Sequence, residues 1–222
     1  MTIFGTGIAS TVQGVVRASF LEIGLPLTLS DVSVTFDATP APIFNVANVN
    51  GQQQVTVQAP CQLAGQSTTS ITIKSGGSTT VSGIQVLAVQ PGVFESDLGT
   101  GRKVAILLRP DGSLVTAANP ALRGEVIRMF ATGLGLVAPA SNTNRAGVGG
   151  QTVVSPLVVG VNDLGVEIVS TELATNMIGV YIVAFRIPLD ATTGINRNLA
   201  LAAVRSDGVF VFGNGSAVAV IQ

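Results

Sequence analysis

Short stretches in which apolar and polar residues alternate, each closed by a turn dipeptide, constrain this chain more than any other feature. In Asp31-Val-Ser-Val-Thr-Phe-Asp37, Val32, Val34 and Phe36 face one way, and Ser33 and Thr35 the other. Gln54-Val-Thr-Val-Gln58 and Ile71-Thr-Ile-Lys74 repeat the pattern. Period-two runs rich in β-branched residues describe half-buried antiparallel strands. Asn50-Gly51, Gly76-Gly77, Asp111-Gly112, Asp207-Gly208 and Asn214-Gly215 are tight-turn signals between such runs. The nearest helix candidates are residues 11–22 and a short turn at Asn119-Pro-Ala-Leu122. Neither competes with the strand pattern, so the sequence predicts an all-β fold.

The pattern also repeats over a long interval. Ile3-Phe-Gly-Thr-Gly-Ile8 returns as Met129-Phe-Ala-Thr-Gly-Leu134, and the run from Gly51 to Pro60 returns between Gly179 and Pro188. In the second pair, Val55 matches Val183 and Val57 matches Phe185. Between these anchors, Val32 to Phe36 corresponds to Leu157 to Val161, and Ile71 to Lys74 to the run from Leu199 to Val204. Two tandem Ig-like antiparallel β-sandwiches are the simplest account, over residues 1–90 and 91–222, each near the usual size of about 100 residues. The proline and glycine of Gln90-Pro91-Gly92 mark the hinge. Residues 93–128 have no counterpart in the first copy; their hairpin, Lys103 to Val115, is expected to complete the second sandwich.

Composition removes several chemistries. The chain has no histidine, which excludes Ser-His-Asp, Cys-His and His-ligated zinc sites. A single cysteine, Cys61, permits neither an internal disulfide nor a thiolate cluster, and is expected to be a small, buried, inert residue. A net charge of −1 leaves no footprint for nucleic acid, and the absence of Trp leaves few stacking platforms. No apolar stretch reaches the roughly 20 residues of a membrane-spanning helix, and no signal-peptide core opens the chain. Charged residues are only 10% of the chain, and residues 1–90 hold just Arg17, Lys74, Glu22, Asp31 and Asp37. Near-neutral, charge-poor surfaces favour association.

Several of these runs resemble a known family. The opening Ile3-Phe-Gly-Thr-Gly-Ile8 is similar to the first strand of bacterial Ig-like domains of the IPT/TIG type. Thr39-Pro-Ala-Pro-Ile-Phe44, Val89-Gln-Pro-Gly-Val-Phe94, Arg109-Pro-Asp-Gly-Ser113, Asn119-Pro-Ala-Leu-Arg-Gly124 and Ala131-Thr-Gly-Leu-Gly135 resemble, in order, the Solibacter-type uncharacterised C-terminal domain. The resemblance implies an exported, Ig-like, non-enzymatic module found at the end of large surface or secreted proteins. It implies an extracellular or cell-surface location, no cofactor and no catalytic residues. A large region precedes such a module in members of that family, and this sequence is expected to be either an excised module or a small subunit by itself.

The remaining motifs are weighed on their chemistry. Gly5-Thr-Gly-Ile-Ala-Ser10 lacks the third glycine of a dinucleotide fingerprint and reads as a turn. Ala146-Gly-Val-Gly-Gly150, after Arg145, lacks the Gly-Lys-Ser/Thr ending of a phosphate loop and reads as a flexible surface loop. Glu95 and Asp97 form a close acidic pair, a sparse start for a calcium site that needs six to eight oxygens; Asp163 and Glu167 form a second pair. The terminal strands carry the most weight. Ala217, Val218, Ala219, Val220 and Ile221 alternate without charge, and Thr2, Ile3 and Phe4 are also strand-like. Such edges either pair within their own sandwich or complete the sheet of another copy. The expected role is a self-assembling surface or filament subunit whose partners are copies of itself. The alternative is an adhesion module that recognises a polysaccharide or surface protein through end loops, above all residues 136–152.

Overall fold

The computed structural model describes residues 1–19 and 24–222. They are almost entirely antiparallel β-structure, with one 3-10 turn at Cys61–Leu63 and no α-helix among the described residues. The helix candidate over residues 11–22 contains a strand at Gly14–Arg17, and its residues 20–22 lie outside the described residues. The chain divides into two compact units. Unit 1 is Met1–Leu87 with Ser141–Ala146, and unit 2 is Ala88–Ala140 with Gly147–Gln222. The boundary thus falls three residues before the expected one, and one short segment of the second half belongs to the first unit.

Unit 1 has strands β1 (Thr2–Phe4), β2 (Gly14–Arg17), β3 (Thr28–Leu29), β4 (Val32–Phe36), β5 (Thr39–Pro40), β6 (Ile43–Val49), β7 (Gln52–Val57), β8 (Thr68–Lys74) and β9 (Ser78–Gln85). One sheet runs β1-β7-β6-β2; the other runs β3-β4-β8-β9, with β5 beside β4. The alternation read from the sequence is what joins them. Val32, Val34, Phe36 and Ile71 from one sheet meet Ile43, Val46, Val55 and Val57 from the other in a single core.

Unit 2 has strands β10 (Gly92–Val93), β11 (Glu95–Asp97), β12 (Lys103–Ala105), β13 (Leu107–Leu108), β14 (Val126–Thr132), β15 (Val137–Ala138), β16 (Thr152–Val153), β17 (Leu157–Val161), β18 (Leu164–Gly165), β19 (Ile168–Leu173), β20 (Tyr181–Arg186), β21 (Gly194–Val204), β22 (Phe210–Phe212) and β23 (Ser216–Ile221). The sheet β10-β14-β20-β19-β16-β15, with β13 also on β14, shares a core with the sheet β18-β17-β21-β22, in which β23 also pairs β21. Phe185, Ile127 and Met129 from the first sheet are fully buried against Val159, Leu199 and Leu201 from the second.

Several strand registers correspond between the two units. Ile3 pairs Val55 in unit 1, as Met129 pairs Val183 in unit 2. Phe36 pairs Ile71 and Val34 pairs Ile73; Val161 pairs Leu199 and Val159 pairs Leu201. Both copies carry a register shift at the start of the same hairpin, between Ile43 and Asn45 and between Ile168 and Ser170. A bulge is a specific local feature, and here it falls at corresponding positions of the two hairpins. The turns agree as well. Asp37 and Asn162 hold φ of 49° and 52° after β4 and β17, a left-handed conformation that Asp and Asn accept more readily than other non-glycine residues.

Residues 93–128 belong to unit 2, as expected. β11 pairs β12, and β13 joins β14. Within residues 103–115 a short hairpin turns at Asp111-Gly112, where Leu108 bridges Leu114, the Arg109 amide donates to the Ser113 carbonyl and the Val115 amide to the Leu107 carbonyl. Asn214-Gly215 is not a hairpin: β22 and β23 both pair β21, so the dipeptide steps the chain along one edge.

Candidate functional site

The positions expected to make self-contacts lie in different environments. Ala217 to Ile221 are buried, and β23 pairs β21 along its length. Val218 and Ile221 enter the main core, while Ala217 and Ala219 pack against Val104 and Leu98. The end of its second edge is also taken, because the amide of Ala121 donates to the Val220 carbonyl and that of Gln222 to the Ala121 carbonyl. This corrects the reading of the C-terminal strand as an available edge. An uncharged apolar strand has the same sequence at a bare edge and under cover, and here residues 93–128 supply the cover.

Thr2, Ile3 and Phe4 differ. β1 pairs only β7 among the described residues, and the Phe4 ring is exposed. Its counterpart β14 carries β10 and β13 on the matching edge. The same contrast holds at the other sheet. β8 and β21 are counterparts, and so are β9 and the pair β22 and β23. Hairpin β11–β12 lies over β23, and Ser216 Oγ donates to Glu95 Oε1 at 2.7 Å. No strand covers β9, which is exposed from Ser78 to Gly83 and pairs only β8 among the described residues. Residues 75–94 contain no charged side chain. The bonding alternates along β8: the Ser70 carbonyl accepts from Asp37, and the Ser75 amide donates to Gly77. That alternation turns the N–H and C=O groups of Ser78 and Thr80 away from β8.

The end loop over residues 136–152 spends its polar groups internally. Asn144 Nδ2 donates to the Leu25 carbonyl at 2.8 Å, and its Oδ1 accepts from the Leu25 amide at 2.7 Å. Thr143 Oγ1 accepts from the Cys61 amide and donates to Gln62 Oε1. Gln151, almost fully buried, bonds Pro139, Ala140 and Val148. Residues 146–150 are likewise tied, not loose, because the Gly147 amide donates to Met177 and its carbonyl accepts from Asn176. We expect Asn144→Ala to lower the stability of unit 1 by about 1–3 kcal/mol, the cost of unpairing both Leu25 backbone groups. Denaturant titration of the full chain measures it.

Cys61 is exposed, which corrects the expectation of a buried thiol: the 3-10 turn lies outside the sheets and directs only Leu63 into the core. Asp97 accepts from the Gly99 amide and Glu95 from Ser216. Among the described residues no third acidic, histidine or cysteine side chain joins them in a metal-sized cluster. Residues 5–10 form a turn, with Gly7 at φ 81° and Gln53 Oε1 accepting from the Ala9 amide. No helix of the described residues is long and apolar enough to cross a membrane.

Sequence reasoning missed a trough in unit 2 of about 580 Å³, bounded by Glu95, Arg102, Lys103, Asp163, Asn198 and Ser216. Glu95 and Asp163 belong to the two acidic pairs of the sequence, but the trough's walls come from separate elements and no local pattern joins them. No protein-family model matches the chain, and neither a curated protein nor a solved structure matches it.

Proposed function

We propose that this chain is a non-enzymatic structural subunit of an extracellular surface, and that copies associate by extending the sheets of unit 1. The observation that carries this reading is the bare β9 edge, eight residues long and uncharged, whose unit 2 counterpart is covered by residues 93–128 along β23, though not along β22. Proteins normally protect such an edge with Lys, Pro or a covering segment. A second copy of β9, related by a two-fold axis, fits it directly. Antiparallel pairing would join outward N–H to outward C=O with no like charges opposed. The hydroxyl pairs Thr72–Thr80 and Ser70–Ser82 already cross β8 and β9 at 2.8 and 3.1 Å, and a partner strand would continue those rows. The β1 edge offers a second, shorter junction, and two junctions per copy suffice for an open polymer. The family resemblance of the sequence supports the extracellular setting.

Sedimentation of the full chain over a concentration series tests the reading. Wild type is expected to form dimers and larger species as concentration rises. Thr80→Lys combined with Ser82→Lys, at two exposed positions, is expected to remain monomeric with an unchanged circular dichroism spectrum. A wild type that stays monomeric into the millimolar range overturns the proposal, as does a double variant that associates like wild type.

A further inference from the structure

The duplicated plan allows one row of side chains to be compared between the copies. In unit 1, Pro40, Thr35, Thr72 and Thr80 stand opposite one another across four strands. The matching row in unit 2 begins Gly165, Gly160, Ala200. Gly215 follows in line, directly before Ser216, which pairs Leu199. Three glycines and an alanine thus replace a proline and three threonines, and the sheet surface there is lowered to little more than backbone. The trough of about 580 Å³ lies over this row, with Gly160, Ala200 and Gly215 among its lining residues. Its volume falls within the range of about 300–1,000 Å³ typical of small-molecule sites.

Its walls come from three directions in the fold. Hairpin β11–β12 brings Glu95 and Lys103 and, in its turn, Arg102; the β17–β18 turn brings Asp163; and β21 brings Asn198. Both signs of charge are present, yet no ion pair joins them among the described residues. The internal polar contacts are Ser216 to Glu95 and a long Asn198 Nδ2 to Asp163 Oδ1 approach of 3.5 Å. Two cations therefore remain open to an anionic group, beside carboxylate and amide groups that suit hydroxyls.

We infer that this trough binds an acidic saccharide, a hexuronic acid unit of a longer chain. The carboxylate of the sugar takes Arg102 and Lys103, through charge-assisted hydrogen bonds. Its hydroxyls donate to Asp163 and Glu95 and accept from Asn198. The glycine and alanine floor lets the ring lie close to the sheet, without the aromatic platform that the chain lacks. This site is separate from the β9 edge, and its outcome does not depend on self-association.

The probe is a hexuronic acid oligosaccharide titrated into the full chain, followed by amide chemical shifts and calorimetry. Saturable shifts are expected at Gly160, Ala200 and Ser216. Arg102→Ala with Lys103→Ala is expected to weaken binding at least about tenfold, the scale of one lost charge-assisted contact. Gly160→Thr restores the residue that unit 1 carries at Thr35, and a Cβ there meets only ordinary contacts of 3.7 and 3.8 Å. This variant is expected to fold normally and to lose binding through the filled floor. Absence of saturable shifts overturns the inference. So does equal affinity for an uncharged oligosaccharide, or binding of a polyglutamate peptide at the same amides that survives Asp163→Ala and Asn198→Ala.

Discussion

Replacing Gly133 with alanine is expected to destabilise unit 2 by on the order of 4 kcal/mol or more, among the largest effects a single methyl group produces. Gly133 follows β14 at φ 72°, a conformation that already disfavours a side chain. A Cβ built there would lie 1.9 Å from the Gln90 carbonyl oxygen and 2.8 Å from its carbon. Those atoms are main chain, so no rotamer change relieves the clash. They are also held in place, because the Gln90 amide donates to the Gly133 carbonyl at 2.8 Å. Relief requires the segment entering β10 to part from the end of β14, which removes the strand covering that edge. Gly208→Ala is the control. It has a similar φ of 81° but nothing within 4 Å of the added carbon, so it should cost only about 1 kcal/mol for backbone conformation. Thermal unfolding of the two variants separates the clash from the dihedral strain, with Gly133→Ala expected to melt about 10 °C or more below wild type. Equal midpoints would remove the argument from close approach.

The same glycine shows how far the sequence could be read. Thr-Gly following an apolar run occurs at Thr6-Gly7 and Thr132-Gly133, and the first was legible as a turn. The partner of Gly133 at Gln90 was not, because nothing local connects the two residues. The all-β fold was legible for a different reason. Core positions such as Val34 and Phe36 carry their burial in their own alternation, and Ile3 pairs Val55 as Met129 pairs Val183. Burial of β23 was misread because its alternation fits a bare edge and a covered one equally. The decision rests with Val104 and Leu98, more than one hundred residues earlier. The trough was invisible for a related reason: Gly160, Gly165, Ala200 and Gly215 become one row only after four strands are placed in register. A glycine taken alone reads as a turn, and only the comparison with Thr35, Thr72 and Thr80 shows what has been removed.

Glu125→Ala is expected to cost about 3–5 kcal/mol, the range for removing one partner of a shielded ion pair. Arg109 and Glu125 pair through Nε and Oε1, with side chains only 15% and 16% exposed. The guanidinium also donates to the Pro120 carbonyl, and its Nη1 is buried without a partner. Glu125 Oε2 accepts from the Leu122 amide at 2.8 Å. Truncation therefore leaves a shielded cation without its counter-charge and a backbone N–H unpaired in the same segment. That segment also closes the end of β23 through Ala121, so its loosening would release the most apolar strand edge in unit 2. The variant should consequently gain concentration-dependent association that does not require β9 and that persists with Thr80→Lys and Ser82→Lys in place. A double replacement, Arg109→Met with Glu125→Leu, removes both charges together and should cost less than Glu125→Ala alone, since no isolated ion remains. Denaturant unfolding of Arg109→Met, Glu125→Leu and the double gives the coupling energy. A double variant at least as unstable as the sum of the singles would mean that Arg109 and Glu125 act independently and that the pair does not close the β23 edge.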